Sequence, residues 1–371
     1  MRRTLAVLMA ASLALGACGS PDKPQPETPC VIPTIQKVYP PAQPVVPVAR
    51  PWQPGALQYG IQLYWHTWVP NEEIEPVADR LLNYIVGLGA NSVSISFPIY
   101  TDGVSPTRVG SLKKQTPTPQ QLGIVVAAAK ARHLRVTLRP LVDQKVLKQA
   151  GESEWRGTIR PENIAGWFKS YDDFVLQYVA VAKQYEVEEF VAGAELVALQ
   201  SQTAEWQRLG RLISQSGYAG VVSYAMSWDD LADMPFEELG VDAYPNTDLP
   251  DTATVQQLTD SLTRWFEGLP GTIRPRLTAQ EVGIPNEAGM YHKPWSWGTQ
   301  ADTCAIKLNF DVQKNWFAAA CSAVKVAKLR GIYYWMLDSN AYLAQDHPSS
   351  EPSGMFFGRP SEQSIRDCFS S

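Results

Sequence analysis

From residue 56 onward the chain alternates between two hydrophobic patterns. Short runs carry apolar residues at every second position or in a block. Longer runs carry them at every third or fourth. The first period belongs to strands and the second to helices. Strands are predicted at 58–64, 92–97, 135–142, 189–194, 220–225, 240–244, 276–280 and 331–336. In the second of these Val93, Ile95 and Phe97 alternate. Helices are predicted at 73–88, 119–132, 161–185, 203–216, 254–267 and 311–329. Thr118 reads as an N-cap with Pro119 at the first helical position, and Gly268 stands where a helix would end. Such alternation predicts a parallel sheet with crossover helices. Eight strand-helix units in about 310 residues fit an α/β fold with a single (β/α)8 TIM barrel and extended loops. A doubly wound open sheet is the alternative. No G-x-G-x-x-G follows the first strand, which speaks against a dinucleotide-binding version.

The first residues follow another pattern. Arg2 and Arg3 precede an apolar run from Leu5 to Leu15, too short to span a bilayer. Leu15-Gly16-Ala17-Cys18 then resembles a bacterial lipobox, in which cleavage leaves Cys18 as a lipidated, palmitate-type anchor. An ordinary secretory signal is the other reading. Gly19 rather than Asp follows the cysteine, which in a cell with an outer membrane favours delivery there. Residues 1–17 are therefore expected to be a signal peptide and the lipid on Cys18 a membrane attachment. Residues 18–54 are rich in proline, from Pro21 to Pro54, and read as an extended tether. Val45, Val46 and Val48 would also allow this segment to wrap along the barrel. The catalytic domain is expected over 55–371.

Composition narrows the partners. The net charge of -5 gives no electrostatic reason to hold a polyanion, so nucleic acid is not expected. Cys30, Cys304, Cys321 and Cys368 can form two disulfides in an oxidising compartment, with one bridge expected in the C-terminal quarter. Four histidines, none in metal-ligand spacing, point away from a metal, and no cofactor is expected. A monomer is expected. Twelve Trp and 15 Tyr supply faces that suit sugar C–H groups, a reading that counts only at strand ends.

In a TIM barrel the active site lies at the C-terminal ends of the strands. Four acids stand there: Asp143, Glu195, Asp242 and Glu281. Glu195 closes the apolar run Phe190-Val191-Ala192-Gly193-Ala194, and Glu281 follows Leu277-Thr278-Ala279-Gln280. A carboxylate after such a run is costly to bury unless it is partnered or functional. Strands four and seven lie nearly opposite each other, so the two carboxylates should face across the mouth. Retaining glycosidases need such a pair, one as nucleophile and one as acid/base. Two structural acids held by arginines are the bland alternative. Tyr244 could donate to Glu281 or simply pack.

The motifs that contain these residues resemble clan A glycoside hydrolases, and most closely glycoside hydrolase family 113, the β-mannanase family. The resemblance spans roughly 57–340. It rests on Leu138-Arg139-Pro140-Leu141-Val142-Asp143, Trp155-Arg156-Gly157-Thr158-Ile159 and Trp167-Phe168-Lys169-Ser170-Tyr171. It continues in Gly193-Ala194-Glu195-Leu196, Val241-Asp242-Ala243-Tyr244-Pro245 and Gln280-Glu281-Val282-Gly283. The resemblance implies Glu195 as acid/base, Glu281 as nucleophile and retention of configuration. It implies Trp335 as a platform under the sugar, with Trp155 and Arg156 as subsite residues. His66 and Trp68 could line the same mouth, with Asp143, Asp242 and Tyr244. One departure stands out: many clan A enzymes place Asn directly before the acid/base, and here that position is Ala194.

The expected function is thus a retaining hydrolase of a β-mannan-type polysaccharide in the cell envelope. A glycosidase for another β-linked envelope glycan competes with it. So does a non-catalytic carbohydrate-binding lipoprotein, since fold alone does not establish activity.

Overall fold

The computed structural model describes residues 43–66, 69–296, 307–339 and 355–371. Its strands in chain order are β1 (Gln58–Tyr64), β2 (Ser92–Thr101), β3 (Val109–Gly110), β4 (Arg135–Val142) and β5 (Glu189–Ala194). They continue with β6 (Val221–Ser227), β7 (Glu238–Asp242), β8 (Leu277–Val282) and β9 (Gly331–Asp338). The short β3 pairs antiparallel with β2. All other pairings are parallel, and β1 pairs with both β2 and β9, which closes eight strands into a barrel. Helices α1 (Ile74–Gly87), α2 (Pro119–Ala131), α3 (Ile164–Gln184), α4 (Thr203–Gln215), α5 (Val255–Glu267), α6 (Phe310–Val326) and α7 (Ser361–Ser370) accompany the strands.

The expected TIM barrel is the observed one. The expectation of eight full strand-helix units is corrected at one point: residues 228–237, between β6 and β7, hold no helix. This stretch is only ten residues long, and Pro235 within it cannot donate an N–H to a helical ladder. Local chemistry explains the helix starts elsewhere. Thr118 and Thr254 each form a capping box with the glutamine three residues on, which satisfies two otherwise orphaned donors. Helix α3 begins at Ile164 rather than residue 161, because Asn163 caps it through Gly166 N.

The barrel interior is polar, and Glu189 within it accepts from several donors. Arg135 Nη2 donates to Glu189 Oε2 at 2.8 Å, and Gln280 Nε2 donates to Glu189 Oε1 at 2.8 Å. Ser223 Oγ donates to the same Oε1 at 2.5 Å. A buried carboxylate supplied in this way escapes most of its desolvation cost. Outside the barrel, Trp167, Phe168 and Tyr171 of α3 pack with Trp206 of α4 and Tyr224 of β6. Gly193 makes room for this cluster, since a Cβ there would lie 2.9 Å from both Trp206 and Tyr224. The strand that delivers Glu195 is therefore seated against a rigid aromatic wall.

Two expectations about the periphery can be compared with the structure. Residues from Gln43 onward do not project as a tether but lie against the barrel, the wrapping alternative. Val46 N donates to Asn83, Val48 N donates to the Arg132 carbonyl at 3.0 Å, and Arg135 stacks over Trp52. Val48 is buried, whereas Val45 and Val46 remain exposed. The C-terminal bridge forms between Cys321 of α6 and Cys368 of α7. Cys18, Cys30 and Cys304 lie outside the described residues. No helix among the described residues is long and apolar enough to cross a membrane.

Candidate active site

Strand register brings the acids to one level. Ser227 of β6 pairs with Asp242 of β7, and Asp242 pairs with Glu281 of β8. Glu195 follows β5, and its N–H donates to the Ala225 carbonyl of β6 at 2.8 Å. Its φ of 52° lies in the left-handed region, which costs a side-chain-bearing residue roughly 1–2 kcal/mol. The bond from Leu196 N to the Tyr224 hydroxyl at 3.0 Å helps hold this turn. Strain kept by surrounding contacts at a strand end is a mark of a working position.

Glu281 is gripped from two sides. Tyr244 donates its hydroxyl to Oε2 at 2.7 Å, and Arg139 of β4 donates Nη1 to Oε1. The other arm of Arg139, Nη2, reaches Asp242 Oδ2 at 2.5 Å. Arg139 thus forks between two carboxylates deep in the barrel, a geometry that only a planar guanidinium provides. Gly283 admits this arrangement: a Cβ there would come within 3.2 Å of both Tyr244 and Trp335.

Glu195 has a different environment. Arg156 donates Nη1 to its Oε2 at 2.5 Å. Burial pushes the Glu195 carboxyl above the usual carboxylate range; Arg156 opposes this, and the nearby charge of Glu281 adds to it. Burial also raises Asp242 well above its ordinary value, against the pull of Arg139. The cluster holds three carboxyls, Glu195, Asp242 and Glu281, against two guanidiniums, Arg139 and Arg156. One bound proton makes it neutral. Asp242 has no exposed side-chain surface, whereas Glu195 retains some, so Glu195 is the carboxyl able to exchange a proton with a ligand.

The remaining candidates divide by position. Tyr64 donates to Asp143 Oδ2 at 3.0 Å, its ring lies 4.6 Å from that of His66, and Trp335 stands 5.8 Å away. His66 Nε2 is 3.4 Å from Asp338 Oδ2. These residues from β1, β4 and β9 form one wall of the mouth. Arg156 sits in a short 3-10 turn, anchored by its Nε on the Val142 carbonyl at 2.7 Å. Trp155 is only partly buried and lies over Gly157, where a Cβ would meet its indole at 2.3 Å. Asp242, expected to line the substrate surface, is wholly buried and paired with Arg139, with no side-chain surface at the mouth. Trp68 lies outside the described residues. Tyr291, from the loop after β8, is core, stacked on Trp316.

Sequence reasoning assigned no role to Arg139. The signal was present, since an arginine inside Leu138-Arg139-Pro140-Leu141 is as costly to bury as an unpaired acid. It also passed over Trp228, which stacks on Trp295 at 5.0 Å.

Among the described residues no group of three or more His, Cys, Asp or Glu is placed to hold a metal. The profile of glycoside hydrolase family 113 matches residues 66–357, most of the chain, including Glu195 and Glu281. The chain belongs to glycoside hydrolase family 113. Membership makes it a glycoside hydrolase with a carbohydrate substrate. Solved structures with the same fold include a family 113 β-1,4-mannanase, 18% identical, with a TM-score of 0.69 over 85% of this chain and 99% of that one. The family 113 β-mannanase AaManA from Alicyclobacillus acidocaldarius, in complex with ManMIm, is 21% identical, with a TM-score of 0.67 over 85% and 97%. An exo-β-1,4-mannosidase from Opitutaceae bacterium strain TAV5 is 13% identical, with a TM-score of 0.53 over 85% and 59%. No curated protein sequence matches significantly. In this family 113 barrel the C-terminal rim carries the only cluster of buried acids and arginines, among the described residues, that also opens to the mouth.

Proposed function

We propose that this family 113 hydrolase cleaves a β-mannan-type polysaccharide with retention of configuration, Glu195 acting as acid/base and Glu281 as nucleophile. The observation that carries the reading is the unequal treatment of the two carboxyls. Both oxygens of Glu281 accept from fixed donors, Arg139 and Tyr244, which aims the side chain. Glu195 is held through one oxygen and is pushed towards its protonated form by burial. In the first step a Glu281 oxygen attacks the anomeric carbon. The glycosidic C–O bond breaks as the Glu195 proton passes to the leaving oxygen. In the second step Glu195 takes a proton from water, whose oxygen attacks the same carbon and releases Glu281. Trp335 provides the floor under the sugar at the cleavage point.

The mannan assignment is supported by the β-1,4-mannanases that share the family and the fold. A panel of mannan, glucomannan and other β-glycans tests it, with proton NMR of the first product formed. Release from mannan with the β-anomer appearing first is the expected result. Initial α-anomer would remove Glu281 as nucleophile, and action only on other β-glycans would remove the substrate. Glu281→Ala should abolish hydrolysis.

The pattern Arg2-Arg3, the apolar run and Leu15-Gly16-Ala17-Cys18 support attachment to the cell envelope through lipid on Cys18. Cys18→Ser should move the protein from the membrane fraction to the soluble one; an unchanged distribution would refute the anchor.

A further inference from the structure

The outer flank of the barrel carries a groove that the two acids do not use. One wall is α3, whose buried side, with Trp167, Tyr171 and Tyr178, packs inward. Its other side presents Lys169, Asp173 and Gln177, all exposed, with Phe174 half-buried beside them. The facing wall is β3, held to α3 by the bond from Val109 N to Ser170 Oγ at 3.0 Å. The space between them is about 330 Å³, within the range of small-ligand sites.

Both walls belong to the rim on which the acids stand. Strand β3 pairs with Tyr100 and Thr101, the part of β2 that runs beyond its pairing with β4. Helix α3 starts on the same side, after the segment that carries Arg156 to Glu195. Arg160 N donates to the Val104 carbonyl at 2.9 Å and ties that segment to the β2–β3 hairpin.

We propose that this groove is an accessory carbohydrate site, which holds a neutral glycan chain beside the mouth. Family membership supplies the ligand class, so the inference does not depend on the roles given to the two acids. The rim is electroneutral. Lys169 pairs with Asp173 at 2.6 Å, and Arg108 on the hairpin lies 3.8 Å from Asp102. Nucleic acid or an anionic lipid surface would need net positive charge there. A protein partner would need a wider apolar centre than Phe174 and Val109 provide. A sugar needs an apolar surface with donors and acceptors around it. Phe174, braced by Tyr178 at 5.6 Å, offers the surface. The Lys169 ammonium, the Asp173 carboxylate and the Gln177 amide offer the hydrogen bonds. A polymer held by this flank stays close to the acids between cuts, which raises its effective concentration at the mouth.

The test is electrophoresis through gels containing galactomannan, glucomannan or mixed-linkage β-glucan, with Glu195→Gln protein so that the polymer is not consumed. At least one polymer should retard the protein. Adding Phe174→Ala should weaken that binding about fivefold, as when one of two contacts to the same chain is lost. In the enzyme with Glu195 intact, Phe174→Ala should leave kcat/KM on a hexasaccharide of the same backbone unchanged. Circular dichroism checks its fold. Gln177→Ala, at an exposed position, is the second variant and should weaken polymer binding in the same direction. No retardation by any polymer, or retardation that neither variant reduces, would overturn the proposal. Equal losses on polymer binding and on the hexasaccharide would overturn it too, by making the groove part of the catalytic cleft. Should the enzyme cleave no mannan, the substrate reading fails by itself, and the gels still decide the groove.

Discussion

Arg156 donates one hydrogen to Glu195 Oε2 at 2.5 Å and another to the Val142 carbonyl at 2.7 Å, so the β4 strand end holds the side chain that holds the acid. The positive charge of Arg156 lowers the Glu195 pKa, against the larger effect of burial, which raises it. Removing Arg156 deletes the lowering influence. In Arg156→Met the alkaline limb of the kcat/KM pH profile should move to higher pH, because Glu195 keeps its proton longer. The maximum rate should fall as well, since the carboxyl loses its aim. A limb that stays put or moves toward acid would show that Glu195 is not the group reported by that limb.

Tyr244 supplies one of two donors to Glu281, and its bond of 2.7 Å is buried. Tyr244→Phe preserves the ring and removes this bond. Hydrogen bonds to charged groups are worth about 1.5–3 kcal/mol, so kcat should fall roughly 10- to 100-fold. Steady-state kinetics on the polysaccharide would show it, with thermal stability little changed.

Asp242 and Arg139 form an ion pair with no exposed side-chain surface on either partner. Breaking such a pair costs more than the pair itself contributes, because it strands a buried charge. Asp242→Ala should lower the unfolding free energy by about 3 kcal/mol in urea titrations. Activity should fall in the folded fraction too, since Arg139 also orients Glu281.

The Cys321–Cys368 bridge closes a loop of 47 residues and fastens α7 to α6. Chain entropy sets its contribution at about 4 kcal/mol as an upper figure. Cys321→Ser with Cys368→Ser should lower the melting temperature markedly. Activity measured well below that temperature should persist, because neither cysteine approaches the mouth.

Much of this could be read from the chain, for reasons that differ by element. Strands β1, β4 and β5 fall where apolar runs predict them, since both their faces are covered and every residue must be apolar or paired. Strand β7 begins at Glu238 rather than residue 240, because the opening glutamate is neutralised by Arg330 at 2.5 Å. A pattern of single residues cannot show such a partner. Strand β2 runs on past Pro98 to Thr101, beyond the predicted end at 97. Helix α7 was not foreseen: its buried side is narrow, consisting of Ile365, Cys368 and Phe369 with Ser361 and Ser364. The acids Glu195 and Glu281 were legible because charge at the end of an apolar run stands out. Arg139 carries the same signal within its strand, but which carboxylates it joins depends on barrel closure, a relation among β4, β7 and β8 that no local stretch encodes.

The segment from Gln43 to Ala56 passes beneath the barrel, where Val48 meets Arg132 ahead of β4 and Trp52 meets Arg135 at its start. The polypeptide thus enters the domain at the pole opposite the acids. A carrier protein, affinity handle or solid support joined ahead of Gln43 would be attached at the blind end of the barrel, leaving the approach of a long polymer unobstructed.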